Sequence, residues 1–156
     1  MLAGDDMVIN NGSLVQITKD DFLSYGIFIV PDGVEKIASE VFERAKLSQY
    51  MKQVWLPKTC KIINQYSFSN CKKLEKVLFY DDLKDIEDYK NGVKSEKELI
   101  KNNNLESLGR GAFSNTGLKS FTFTSKLKEI EGVCFLNSKL KKVTFVDLFK
   151  QLIVKI

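Results

Sequence analysis

The chain has 156 residues, 44% apolar and 28% charged, with only 2 Pro and 9 Gly; this describes one globular domain or two very small ones, neither collagen-like nor Pro/Gly-rich and disordered. It contains no histidine, which excludes a Ser-His-Asp triad, a Cys-His pair and an imidazole metal site. The net charge of +4 is uneven, −2 over residues 80–104 and +5 over 105–156, and only Arg44 and Arg110 supply the guanidinium forks that phosphate and base readers favour, so no nucleic-acid partner is expected.

At the N-terminus, Met1–Asp6 is too short and too acidic for a secretory leader. No run of about 18 apolar residues is present to span a membrane. Val8-Ile9-Asn10 and Ser13-Leu14-Val15-Gln16-Ile17 flank Asn11-Gly12, a two-residue hairpin signature. Thr18 is placed to N-cap a short helix running through Phe22 and Leu23 and ending near Gly26. Residues 1–26 are therefore expected to form a hairpin–helix cap.

From residue 27 to 145 the chain repeats itself. Val34-x-x-Ile37, Cys60-x-x-Ile63, Leu105-x-x-Leu108 and Leu127-x-x-Ile130 are each followed five residues later by Phe42, Phe68, Phe113 and Phe135. Leu47, Leu74, Leu118 and Leu140 come next, and then the alternating runs Val54-Trp55-Leu56, Val77-Leu78-Phe79, Phe121-Thr122-Phe123 and Val143-Thr144-Phe145. Residues 80–104 interrupt the pattern by roughly one repeat length. They read either as a degenerate repeat opening at Leu83-x-x-Ile86, with Asn91 where Phe is due, or as an inserted helical excursion. Ser95-Glu96-Lys97-Glu98 has capping-box spacing before Leu99 and Ile100, which favours the excursion. Residues 146–156 are apolar for a chain end. Leu148, Phe149, Leu152, Ile153 and Ile156 fit one helical face that would cap the last repeat, or the run is a strand of a truncated repeat; such an end is suited to self-association.

Four matches to one template at 22–26-residue spacing describe a solenoid, because one such unit cannot bury its own apolar face. Stacking should align the four phenylalanines in one internal column and Ile37, Ile63, Leu108 and Ile130 in another. The alternating runs should form short parallel strands, one per repeat, joined by short helical turns. Leu56-Pro57, Ile63 and Tyr66-Ser67-Phe68-Ser69-Asn70-Cys71-Lys72-Lys73-Leu74, with Leu108-Gly109-Arg110-Gly111-Ala112-Phe113-Ser114-Asn115 and Ile29–Ile37, resemble the BspA-like leucine-rich repeat over about residues 28–145. The resemblance implies a leucine-rich-repeat solenoid, adhesion or protein binding, a cell-surface or secreted location, and no shared catalytic residues.

Function is then expected on the outward positions of the strand ladder, Gln53, Trp55, Lys76, Leu78, Ser120, Thr122, Lys142 and Thr144; Ile27, Ile29, Trp55, Leu78 and Tyr80 make one end of this face apolar and aromatic, and Ser120, Thr122, Thr124, Lys142 and Thr144 make the other small and polar. Trp55, the single tryptophan, is the expected anchor for a protein or peptide. Glycan or host-surface adhesion, and a structural spacer without ligand, are the competing readings. No cofactor is expected. Asp81, Asp82, Asp85, Glu87 and Asp88 lack calcium-loop spacing, Gly109-Arg110-Gly111 lies inside a repeat, and neither suggests a metal or nucleotide site. Cys60, Cys71 and Cys134 read as reduced structural thiols. The chain is expected to have no enzymatic activity of its own.

Overall fold

Two left-handed residues in succession are what a two-residue hairpin needs, and Asn11 and Gly12 supply them at φ 48° and 76°. They join β1 (Val8–Asn10) to β2 (Ser13–Gln16) in the computed structural model, which describes residues 7–23, 26–146 and 153–154. Thr18 precedes only one 3-10 turn, Lys19–Asp21, whose Asp21 carboxylate accepts from the Thr18 N–H at 2.6 Å. Phe22 and Leu23, expected in a helix, instead form β3 (Phe22–Leu23), antiparallel to β4 (Ile27–Ile29). The extended backbone brings the Phe22 ring to 4.9 Å from that of Phe28. Ring burial of this kind outweighs lengthening a helix too short to be stable alone.

Each repeat carries two strands, not the single one expected. The apolar pair spaced three apart ends in a two-residue strand, and the alternating run makes a longer one. Along the chain these are β5 (Lys36–Ile37), the short helix α1 (Val41–Arg44), β6 (Gln53–Pro57), β7 (Ile62–Ile63) and β8 (Lys76–Tyr80). After them come α2 (Leu83–Lys90), α3 (Glu96–Leu99), β9 (Ser107–Leu108), β10 (Ser120–Thr124), β11 (Glu129–Ile130), β12 (Lys142–Val146) and β13 (Ile153–Val154). The extra strand exists because extended backbone at the core boundary must pair its peptide groups. The two-residue strands do this in one continuous sheet that the N-terminal hairpin opens, β1-β2-β5-β7-β9-β11-β13, parallel from β2 onward.

The longer strands behave differently. They form two separate sheets, β3-β4-β6-β8 and β10-β12, with no bridge between β8 and β10 among the described residues. The cause is local. Four residues connect β6 to β7 and β10 to β11, whereas residues 81–106 connect β8 to β9 and carry α2 and α3. The short-strand sheet passes this point without a break, since Ile62 and Ile63 pair directly with Ser107 and Leu108.

Between the sheets runs the phenylalanine column. Phe42, Phe68, Phe113 and Phe135 stack with ring centroids 5.0, 5.2 and 5.6 Å apart. Offset ring pairs of this sort are worth about 0.5–1.5 kcal/mol each beyond the area they bury. The residue two before each of these phenylalanines is left-handed: Glu40, Tyr66, Gly111 and Val133, with φ between 52° and 61°. This turns the chain so that Phe68 N–H donates to Ala112 O and Phe113 N–H to Cys134 O, at 2.9 and 2.8 Å, tying one repeat to the next on a third side. Cys60, Cys71 and Cys134 are free and buried. In the C-terminal run, β13 pairs in parallel with β11; Leu148, Phe149, Leu152 and Ile156 lie outside the described residues.

Candidate functional site

Alternation along β6 and β8 sends Val54, Leu56 and Phe79 into the main core and Trp55, Leu78 and Tyr80 to the opposite face. The expected register therefore stands, but the expected exposure does not. Trp55, Leu78 and Tyr80 are 0%, 3% and 1% exposed. The 81–106 excursion lies across them, closing a second apolar cluster with Leu99, Ile86 and Tyr89, which Ile27 and Ile29 join. Ile86 and Tyr89, three apart on α2, share one helix face, and the Tyr89 ring meets Trp55 edge-on at 5.4 Å. Buried polar atoms on this face are satisfied locally: Trp55 Nε1 donates to Gln53 Oε1 at 2.8 Å, and the Tyr80 hydroxyl to Val30 O at 2.5 Å. Burial, with the nearby Asp32 charge, raises the Tyr80 phenol well above its ordinary value.

Ion pairs from Lys76 and Lys58 tie the excursion to the strands, and three more brace it internally. Lys76 Nζ lies 2.7 Å from Glu96 Oε1 and 2.9 Å from the Tyr89 hydroxyl, over whose ring it also sits. Lys76 is thereby raised, first by the bond to Glu96 and then by that to Tyr89. Lys94 lies 2.5 Å from Asp85 and 3.7 Å from Asp88, Lys84 pairs with Asp88 at 3.2 Å, and Lys58 with Asp81 at 2.5 Å. The acidic stretch is thus engaged by lysines, and no cluster of three metal-ligating side chains occurs among the described residues.

The uncovered part of the ladder is its polar half. Where β8 and β10 part, a groove of about 670 Å³ opens, walled by β8, α3, β10 and β12. Lys76, Thr122, Lys142 and Thr144 of the expected site line it, as does Leu78 at its floor; Gln53, Trp55 and Tyr80 do not. Glu75, Lys97, Ile100, Lys119 and Phe121 line it too and were not singled out from the sequence. Their only trace there is the length of the interruption, because the groove is a product of the ladder break rather than of a motif. Lys97, Lys119 and Lys142 make no ion pair among the described residues.

Repeats of one chain turn stacked on a phenylalanine column, with parallel strands on their flanks, define a leucine-rich-repeat fold. The chain belongs to the BspA-type leucine-rich-repeat family, whose model matches residues 35–153 in six copies; that family is typically non-enzymatic. Two solved structures share the fold. The pneumococcal vaccine antigen PcpA superposes with a TM-score of 0.60 at 18% identity over 94% of this chain and 37% of its own. A leucine-rich cell surface protein of Faecalibacterium prausnitzii gives 0.52 at 16% identity over 95% of this chain and 42% of its own. The chain thus spans about two fifths of the length of either. Comparison with curated proteins gives no match. No helix among the described residues is long and apolar enough to cross a membrane.

Proposed function

We propose that this chain is a non-enzymatic protein- or peptide-binding module, displayed at a cell surface, whose contact surface is the groove between β8 and β10. The observation that carries this reading is the division of the ladder face. Its aromatic half is sealed by the chain's own excursion, and its polar half is open, concave and lined by Lys76, Thr122, Lys142 and Thr144. Concave sites with a few convergent polar groups on an apolar floor are where ligands bind. Surface display draws on the printed description of the Faecalibacterium relative as a cell surface protein. The competing glycan reading would use the same polar Ser/Thr/Lys end, without an aromatic platform beside it, since Trp55 and Tyr80 are buried. A random-peptide selection against the folded protein, with binders mapped by amide chemical shifts, tests the proposal. Shifts centred on Ser120, Thr122, Lys142 and Thr144 are expected; binders that map elsewhere, or no binder at all, would return the chain to the role of a spacer.

A further inference from the structure

The groove is lined by residues of both faces of its strands. Val77, Phe79 and Phe121 point inward and Lys76, Leu78, Ser120 and Thr122 outward, yet all of them border it. A hollow bordered by consecutive residues of two strands lies at their edges, not on top of the sheet.

Backbone directions show what those edges offer. Tyr80 O accepts from Lys58 N–H at 2.9 Å, on the β6 side. Peptide groups alternate along a strand, so those of Val77 and Phe79 face away from β6 and toward β10. On the other side, Lys119 O accepts from Lys142 N–H at 3.3 Å, which directs the odd residues of β10 to β12 and the even ones, Ser120 and Thr122, toward β8. With β8 and β10 unbridged, two rows of peptide groups confront each other without a strand between them. One fragment of the missing strand is already supplied by the protein. Asn103, at the exit of the excursion, donates through Nδ2 to Thr122 O at 2.9 Å and accepts from the Thr124 hydroxyl through its backbone carbonyl at 3.2 Å.

The rim carries a sign. Lys97, Lys119 and Lys142 stand without a carboxylate partner, Lys76 is held by Glu96, and Glu75 is the remaining anion of the lining. Leu99, Ile100 and Phe121 form the apolar part. A ligand matched to this surface presents main-chain hydrogen-bonding groups at its edge, carboxylates on one side and apolar side chains on the other.

Building on the peptide-binding reading above, we infer that the ligand is an extended acidic segment of another protein, which docks by adding main-chain hydrogen bonds at the break between β8 and β10. Backbone pairing supplies affinity in this mode, and the alternating side chains supply selectivity.

The test uses a fluorescein-labelled seven-residue peptide alternating glutamate with valine. Its controls are the same peptide with lysine for glutamate, and the acidic peptide N-methylated at alternate residues. The acidic peptide should bind, more weakly at high salt, while the lysine peptide should not. N-methylation should weaken binding about tenfold or more, because each lost N–H leaves a carbonyl of the slot unpaired. Exchange of the Val77, Phe79, Ser120 and Thr122 amides should slow in the complex. The Lys119→Glu and Lys142→Glu double variant, altered only at exposed side chains, should lose the acidic peptide. If the acidic peptide binds, is lost in that variant, and yet tolerates N-methylation, strand addition is wrong and the groove remains a binding site. If the acidic peptide binds no better than the lysine one, the acidic assignment is wrong. Binding that shifts residues outside the groove would overturn the inference and the underlying reading together.

Discussion

Val133 sits at φ 52°, with a carbon branched at Cβ in a region that suits glycine or asparagine. The equivalent position one repeat earlier is Gly111, and in the repeat stacked before that, across the excursion, it is Tyr66. Val133 is exposed, so its side chain gains little there. Val133→Gly should therefore stabilise the protein by about 1 kcal/mol, seen as a higher urea midpoint with an unchanged slope; a lower midpoint would show that the valine is not strained. Phe68→Ala has the opposite sign. Phe68 lies between Phe42 and Phe113, fully buried, and its truncation should cost about 3–5 kcal/mol in the same measurement. The column was legible in the sequence because one residue type recurs at one spacing. The left-handed positions two before each phenylalanine were not, since Glu40, Tyr66, Gly111 and Val133 share no chemistry. Tyr66 and Gly111 are held there by N–H bonds to carbonyls of the next repeat, Arg110 O and Gly132 O, which no pattern of their own side chains announces.

The excursion shows where reading along a strand stops being informative. Alternation correctly separates Trp55 from Val54, but it says only which face a side chain takes. Whether that face is wet depends on a segment about thirty residues away in sequence, and the face of α2 that covers it amounts to Ile86 and Tyr89. The charges on the excursion give its docking a pH dependence. Burial works to raise Asp85, but the bond from Lys94 and the N–H groups of Asp81 and Asp82 outweigh it and hold the carboxyl below its ordinary value. Glu96 is likewise lowered, burial being outweighed by Lys76 and the Tyr89 hydroxyl. Groups depressed on folding stabilise the folded form fully above their unfolded values, and that contribution fades as pH falls through the folded ones. Acidification below about pH 4 should thus loosen the excursion, with Trp55 emission moving to the red and becoming open to acrylamide. The Asp85→Asn and Glu96→Gln double variant should lose this step, and a step of undiminished size would assign it to other carboxylates.

At the scale of the whole chain, Cys60, Cys71 and Cys134 report on successive parts of the stack. Each is buried, and desolvation pushes each thiol up to about 12, so none should react with a disulfide reagent at about pH 8 while the protein is folded. Stability in stacked repeats is a sum of local and nearest-neighbour terms. Because β10 and β12 have lost β8 as a neighbour, Cys134 should become reactive before Cys60 and Cys71 as urea is raised; a single rate for all three would mean that the stack opens as one unit. The short-strand sheet and phenylalanine column keep an even spacing on two sides of the stack, while the longer-strand side is interrupted between β8 and β10. Across the break the two halves, 27–80 and 105–146, are held together from behind by the short-strand sheet and the phenylalanine column, so the groove opens on one side of a stack that is continuous on the others.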